Sequence, residues 1–213
     1  MNTSRYAIPD VQESGMHRTF LEVRRSRFIT SVGHAPDTET ARRFLESIRR
    51  EFPDATHNCW AFAAGPPGAT ARVGFSDDGE PHGTAGRPML TVLLHGGVGE
   101  IVCVVTRYFG GVKLGAGGLV RAYQGAVQEN LESLPRRERI VPVRMHVIVD
   151  YPHVNNMRRL FPAFECNVEA EVFSADADFV VCLPQERAED FARAVVEKTD
   201  GCALIETLAA IPE

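Results

Sequence analysis

The 213-residue chain has no apolar run near the roughly 20 residues that a membrane-spanning helix needs. Its first fifteen residues are polar and lack the basic-then-apolar order of a signal peptide. Apolar residues make up 44% and charged residues 24%, which is ordinary for a chain with a packed core. We therefore expect a cytoplasmic protein with no membrane partner.

Paired cysteines are also lacking. The five cysteines are scattered without a CxxC motif, and Cys103 and Cys182 lie inside apolar runs. Thiols in such surroundings behave as small buried hydrophobes. This favours reduced structural thiols over disulfides or a zinc site, and we expect no metal.

The chain has no basic excess, since its formal net charge is −5. Residues 1–135 carry fourteen basic and fourteen acidic side chains, whereas residues 136–213 carry nine and fourteen. Proteins that bind polyanions are usually basic. Any contact with nucleic acid must therefore come from a local patch in the first 135 residues.

Signatures of well-known enzymes are absent. The sequence contains no GxSxG, no HExxH and no recognisable catalytic triad. Its glycines match neither the Walker pattern nor a clean GxGxxG. No cofactor and no catalytic residue is predicted, and the sequence leaves catalytic activity open.

Three regions follow from the patterning: a loose tail over 1–15, a first domain over 16–135 and a second over 140–213, with a polar linker at Leu134–Arg137. The second domain alternates strand-like and helical segments in the order βαββαβ. That order predicts a ferredoxin-like fold, an antiparallel sheet covered by two helices.

Glycine is concentrated in one part of the chain, with fifteen of eighteen residues between Gly65 and Gly125. After a strand at Ile101–Thr106, a glycine loop leads into a helix over about Gly117–Leu131, which would aim free N–H groups at an anion. Three interpretations remain: an RNA phosphate or another anion, a nucleotide, or glycines needed only for packing. The candidate residues are Gly110, Gly111, Lys113, Gly115, Gly117, Gly118 and Arg121.

Arg107 precedes Tyr108 and Phe109, a cation beside aromatic rings that suits phosphate contact and base stacking. We expect one of the two rings to be buried. In the acidic loop, Asp78 and Glu80 suit a solvated turn, a weak divalent-cation site or acid–base chemistry.

Two histidines are further candidates. Strand alternation places His57 on the same face as Cys59, which fits either a structural histidine or a base beside a nucleophile. His82 lies in a glycine-flanked loop and is a candidate for ligand contact. Convergence of both histidines with Asp78 and Glu80 in a cleft would indicate a hydrolase.

Three long motifs carry a family resemblance: Asp54–Trp60, Phe75–Leu90 and Val104–Tyr123, joined by Ser26–Phe28. With them the chain resembles the bacterial two-domain form of the YigZ/Impact family (UPF0029) over essentially its whole length. The resemblance implies an α+β fold. Its N-terminal domain would be similar to domain 2 of ribosomal protein S5, and its ferredoxin-like C-terminal domain to one in elongation factor G.

The resemblance also implies a role in translation. Eukaryotic relatives act in translational control by binding a protein partner of a stress kinase, and bacterial members look ribosome- or nucleic-acid-associated. We therefore expect a non-catalytic binding protein that contacts RNA or the ribosome through Arg107, Lys113 and Arg121. A protein-interaction module and a hydrolase are the alternatives.

Overall fold

The computed structural model describes residues 4–11 and 15–209. The chain divides into two compact units, one spanning Tyr6–Arg139 and the other running from Ile140 onward together with the start of the chain. Strands and helices occur in both units, which confirms the predicted α+β class.

The first unit contains a five-stranded antiparallel sheet. Its strands are β2 (His17–Val23), β3 (Ser26–His34), β4 (His57–Ala63), β5 (Val73–Ser76) and β6 (Ile101–Tyr108), in the order β2-β3-β6-β4-β5. The unit's helices are α1 (Thr38–Glu51), α2 (Gly86–His95) and α3 (Ala116–Ser133). Helices α2 and α3 share a core with one face of the sheet, and α1 shares a smaller core with the other.

Helix α1 begins where its sequence predicts, and α1 and α3 bury the faces that their sequences predict. The side chain of Asp37 caps α1 by accepting a hydrogen bond from Thr40 N at 2.6 Å. Ala41 and Ile48 of α1 are fully buried. The stripe of α3 that the sequence predicts as buried is buried: Leu119, Ala122, Tyr123, Ala126 and Val127.

The expectation of a loose tail is wrong for part of residues 4–11, which the structure describes. Arg5–Pro9 forms a strand, β1, which pairs with β7 (Arg136–Ile140) in a two-stranded sheet. Ile8 is fully buried, and the Tyr6 hydroxyl donates to Glu100 Oε1 at 2.7 Å. The remaining tail residues 1–3 and 12–14 lie outside the described part of the chain.

The prediction of a polar linker at Leu134–Arg137 is also wrong in part, because β7 begins at Arg136. Both β1 and β7 are only five residues long, and β7 is almost entirely charged. Such segments show no apolar alternation, so their strand pairing is not visible in the sequence. Strand β5 has only four residues, which is too short for a strand pattern to be visible in the sequence.

The second unit has the predicted ferredoxin-like plan. Its strands are β8 (Pro142–Val149), β9 (Asn167–Phe173), β10 (Ala177–Pro184) and β11 (Leu204–Leu208), and its helices are α4 (Val154–Ala163) and α5 (Ala188–Lys198). The sheet order β11-β8-β10-β9 places β10 between β8 and β9, and every adjacent pair is antiparallel. Both helices contribute to a core on one face of this sheet. In neither unit does a helix of the described residues reach the length and apolar character of a membrane span.

Candidate functional site

The glycine loop between β6 and α3 lies directly on the turn between β2 and β3. A Cβ atom at Gly110 would lie 2.0 Å from the carbonyl carbon and oxygen of Arg25, so no other residue fits there without moving backbone. The Gly110 N–H also donates to Ser26 Oγ at 3.2 Å. Gly115 has a φ of +75° and sets the entry into α3. The loop is therefore held against the hairpin turn.

A cleft of about 390 Å³ opens beside this loop, and we call it the glycine-loop cleft. Five predicted candidates line it together: His57, Glu80, Arg107, Lys113 and Gly115. The other lining residues are Thr56, Pro81, Phe109, Leu114, Ala116 and Leu119. Strand pairing explains part of this convergence, because His57 of β4 is the direct neighbour of Arg107 of β6.

Glu80 and Arg107 form a buried ion pair in the wall of the cleft. Arg107 Nη1 donates to Glu80 Oε1 at 2.5 Å, and Arg107 Nη2 donates to Ser26 Oγ at 3.2 Å. The Tyr123 hydroxyl donates to the same Glu80 oxygen at 2.9 Å. Arg107 Nε is buried and has no hydrogen-bond partner among the described residues. Most of the guanidinium is thus used inside the protein.

Cys59 and Tyr123 continue this network into the core. Cys59 Sγ lies 2.9 Å from the carbonyl oxygen of Asp77 and 3.3 Å from the Tyr123 hydroxyl. Burial raises the pKa of Cys59 to about 12, and burial with the neighbouring Cys59 raises the pKa of Tyr123. Both groups are neutral at ordinary pH, so Cys59 has the properties of a structural thiol and not of a nucleophile.

The imidazole of His57 is fixed at the rim of the cleft. Its Nδ1 lies 2.9 Å from the carbonyl oxygen of Asp78, and because a carbonyl only accepts, Nδ1 carries the proton in this bond. Nε2 lies 3.8 Å from Glu80 Oε2, beyond hydrogen-bond distance. His57 Nε2 is therefore oriented by the backbone and left open to a further partner.

The acidic loop has a structural use. Asp77 accepts hydrogen bonds from the N–H groups of Gly83 (2.8 Å), Ala85 (3.0 Å) and Gly86 (2.8 Å), which caps α2. Although burial opposes the shift, these bonds hold the pKa of Asp77 below its ordinary value. The N-terminus of α2 is thus already occupied by an internal carboxylate.

Asp78 and His82 do not join the cleft. Asp78 Oδ2 accepts from Asn58 N at 2.7 Å, and Asp78 Oδ1 pairs with Arg49 at 2.8 Å. The His82 side chain is fully exposed, with Nδ1 3.9 Å from Asp77 Oδ2. Of the four residues named for a hydrolase, only His57 and Glu80 share the cleft. Among the described residues, no cluster of three or more His, Cys, Asp or Glu could hold a metal.

The expectation that one ring of Tyr108 and Phe109 is buried is wrong. Tyr108 is half-buried at the end of β6, where its hydroxyl donates to Asp54 Oδ1 at 2.9 Å. Phe109 lies just past the strand and is 47% exposed. Because β6 ends at Tyr108, strand alternation does not direct Phe109 into the core, and Phe109 lines the cleft instead.

The N-terminus of α3 differs from that of α2. Among the described residues no side chain caps it, and its first turn holds no acidic residue. Gly117 and Gly118 lie in this first turn, and a Cβ at Gly117 would meet only Arg121 Nη1 at 3.9 Å. The free N–H groups and positive helix end are therefore open to an external anion.

Exposed cations surround this helix end. Lys113 precedes it, and Arg121 and Gly118 line a second groove of about 230 Å³ together with Arg24. Arg25 follows in the hairpin turn against Gly110. In the described part of the chain, none of Arg24, Arg25, Lys113 and Arg121 has an ion-pair partner. We call these four residues the basic rim; Arg24 and Arg25 were not among the predicted site residues.

Comparison with known proteins assigns the chain to a family. The Impact N-terminal domain matches residues 24–131, and a domain of unknown function (DUF1949) matches residues 147–201. An IMPACT family member of Haemophilus influenzae is 38% identical over 187 residues, which cover 88% of this chain and 91% of that protein. The IMPACT family member YigZ of Escherichia coli is 39% identical over 180 residues, covering 84% and 88%.

A solved structure agrees. The crystal structure of a hypothetical protein is 35% identical, with a TM-score of 0.66, and the match covers 97% of this chain and 98% of that one. Family and fold therefore agree along almost the whole length, with an Impact-type domain followed by a ferredoxin-like one. The chain belongs to the Impact family.

Proposed function

We propose that this protein is a translation-linked binding protein that contacts RNA through the basic rim and the open N-terminus of α3. The observation that carries the proposal is the clustering of four exposed cations, none with an ion-pair partner among the described residues, around the glycine loop and the start of α3. Residues 1–135 carry fourteen basic and fourteen acidic side chains, and four of those fourteen cations gather here, which gives the local patch that a polyanion needs. Such a function operates in the cytoplasm.

The structure gives Arg107 a different role from the one that the sequence predicts. The sequence groups Arg107 with Lys113 and Arg121 as residues that grip RNA. In the structure the Arg107 guanidinium is paired with Glu80, whereas Lys113 and Arg121 are exposed. We therefore assign phosphate contact to the rim and a supporting position to Arg107.

Binding of a short single-stranded RNA across a salt series tests the proposal. Each phosphate contact with a single strand contributes about 0.7 to the slope of log affinity against log salt. Lys113→Ala/Arg121→Ala should flatten that slope by about 1.4, because two contacts are lost. The matched control is Arg42→Ala/Arg43→Ala, which removes the same charge from exposed positions on α1.

If the two double variants have equal slopes of log affinity against log salt, the basic rim is not part of the RNA site. Absence of RNA binding at low salt would overturn the proposed function itself.

A protein partner is the second candidate, and it rests on exposed apolar residues of the same loop. Phe109 is 47% exposed and Val112 is 40% exposed. Exposed apolar side chains grouped in one place are typical of protein interaction sites. If a partner protein remains bound after nuclease treatment and is lost with Phe109→Ala/Val112→Ala, this candidate replaces the first.

A further inference from the structure

We infer that the glycine-loop cleft binds a single nucleotide unit, with its phosphate at the N-terminus of α3 and its base against Phe109. The unit is a nucleoside monophosphate, either free or within an RNA strand. The inference rests on the proposed RNA-binding function and names the ligand of one part of that surface.

The phosphate end follows from α3. This helix is 18 residues long and starts at Ala116; no described side chain caps it, and its first turn holds no acidic residue. Gly115 and Ala116 line the cleft, so the uncapped N–H groups lie at its edge. A phosphate accepts hydrogen bonds from such groups and is favoured by the helix dipole, to which exposed Lys113 adds charge.

Arg107 is a second and independent sign of a ligand. Its side chain is 6% exposed and lines the cleft, yet its Nε has no hydrogen-bond partner in the described chain. Buried donors are normally satisfied, because leaving one unpaired is costly. Nε is enclosed in this geometry, and a ligand acceptor in the cleft would satisfy it once the Arg107 side chain turns toward the cleft that it lines.

The base end follows from the remaining wall. Phe109 presents nearly half of its surface, and Pro81, Leu114 and Leu119 add apolar lining. The Arg107 guanidinium lies 5.7 Å from the Phe109 ring centroid, which orients the ring. An aromatic face beside an anion site is the arrangement with which proteins hold an unstacked base.

Charge and size agree with one nucleotide. The charges of Glu80 and Arg107 offset each other, so Lys113 and the helix end leave the cleft positive. Its volume of about 390 Å³ lies near the lower end of the roughly 300–1,000 Å³ that small-molecule sites occupy. His57 Nε2 remains as a hydrogen-bonding group for a sugar hydroxyl or the base.

Calorimetric titration of the full chain with adenosine 5′-monophosphate tests the inference, with adenosine alone as the comparison. We expect one site for the monophosphate. Adenosine should bind at least about tenfold more weakly, since it lacks the phosphate. Phe109→Ala should weaken the nucleotide about tenfold, in line with the stacking of one base. Phe20→Ala is the control, because Phe20 is 68% exposed on β2 and does not line the cleft.

A second pair of variants tests the helix end. Gly117→Glu places a carboxylate in the first turn of α3, where the added side chain has room, and should abolish nucleotide binding. Gln128→Glu makes the same charge change at an exposed position farther along α3 and should leave binding unchanged. Urea midpoints of all four variants show that each remains folded.

The outcomes separate this inference from the proposed function. RNA binding with a rim-dependent salt slope, but no preference for the monophosphate over adenosine, overturns the inference and leaves the function standing. If neither RNA binding nor a preference for the monophosphate is observed, both the proposed function and the inference are overturned. If the monophosphate binds and displaces a short RNA, the unit belongs to a strand; if it binds without displacement, the ligand is a free nucleotide.

Discussion

The carboxylate of Glu80 lies 2.5 Å from the guanidinium of Arg107, and neither side chain is more than 6% exposed. The pair joins the acidic loop to the end of β6 and thereby fixes one wall of the glycine-loop cleft. Breaking a buried pair leaves a charge without compensation, which costs far more than losing a surface ion pair.

Glu80→Ala should therefore lower the free energy of unfolding by about 3–5 kcal/mol. The reason is the uncompensated Arg107 guanidinium, with Tyr123 losing an acceptor as well. Urea denaturation measures the loss, and Glu22→Ala at an exposed position on β2 is the control. A loss below 1 kcal/mol would show that water reaches the pair.

Asp77→Ala should cost about 1–3 kcal/mol, because three backbone donors at the start of α2 lose their acceptor. Asp77→Asn retains one carbonyl oxygen and should lose less. Thermal or urea unfolding compares the two, and equal losses would mean that the charge and not the hydrogen bonds stabilises the helix end.

The Asp77 carboxylate should also make the stability of the fold sensitive to acid. The pKa of Asp77 is lower in the folded chain than its ordinary value of 3.8, so the unfolded chain takes up its proton first as pH falls. The contribution of Asp77 to the free energy of unfolding is complete above its ordinary pKa of 3.8 and is lost as pH drops through the lower pKa of the folded chain. Unfolding measured between pH 5 and about pH 2 should therefore show a shallower acid dependence for Asp77→Asn.

Gly110→Ala and Gly117→Ala should shift stability in opposite directions. A Cβ at Gly110 meets the backbone of Arg25 at 2.0 Å, so overpacking should cost about 1–3 kcal/mol or more. Gly117 lies in α3 with open space around it, so alanine should raise stability by up to about 1 kcal/mol. Unfolding midpoints that fall together would contradict the placement of the loop.

Thiol reactivity should separate the cysteines. Cys202 is exposed, whereas Cys59 is fully buried with a pKa raised to about 12 by burial. Iodoacetamide at pH 8 should modify Cys202 rapidly in the native protein and Cys59 only after unfolding. Peptide mass spectrometry follows both sites, and rapid labelling of Cys59 would revive its interpretation as a nucleophile.

The long periodic segments could be predicted from the sequence, and the short ones could not. The stripe containing Leu119 and Tyr123 repeats at helical spacing, and the βαββαβ order needs only strand and helix types. Strands β1 and β7 depend on each other for hydrogen bonds, and no local pattern reveals a partner some 130 residues away along the chain.

The sequence indicates candidate residues but not the contacts that they make in the structure. His57, Glu80, Arg107 and Lys113 were named from motifs, and they do meet in one cleft. What the sequence cannot show is that Arg107 is turned inward onto Glu80, or that Asp77 closes α2 while α3 stays open. Those roles follow from register and capping, which depend on contacts across the sheet.

Strand β1 also bears on how the first unit can be cut out. The family match spans residues 24–131, whereas the compact unit spans Tyr6–Arg139. A fragment trimmed to the matched residues would lose β1, β2 and β7, which would leave β3 as a bare sheet edge and Val98 without the bridge from Ala7. Unpaired edges of that kind promote association between chains. A fragment intended for isolated study should therefore keep both ends of the β1–β7 ribbon.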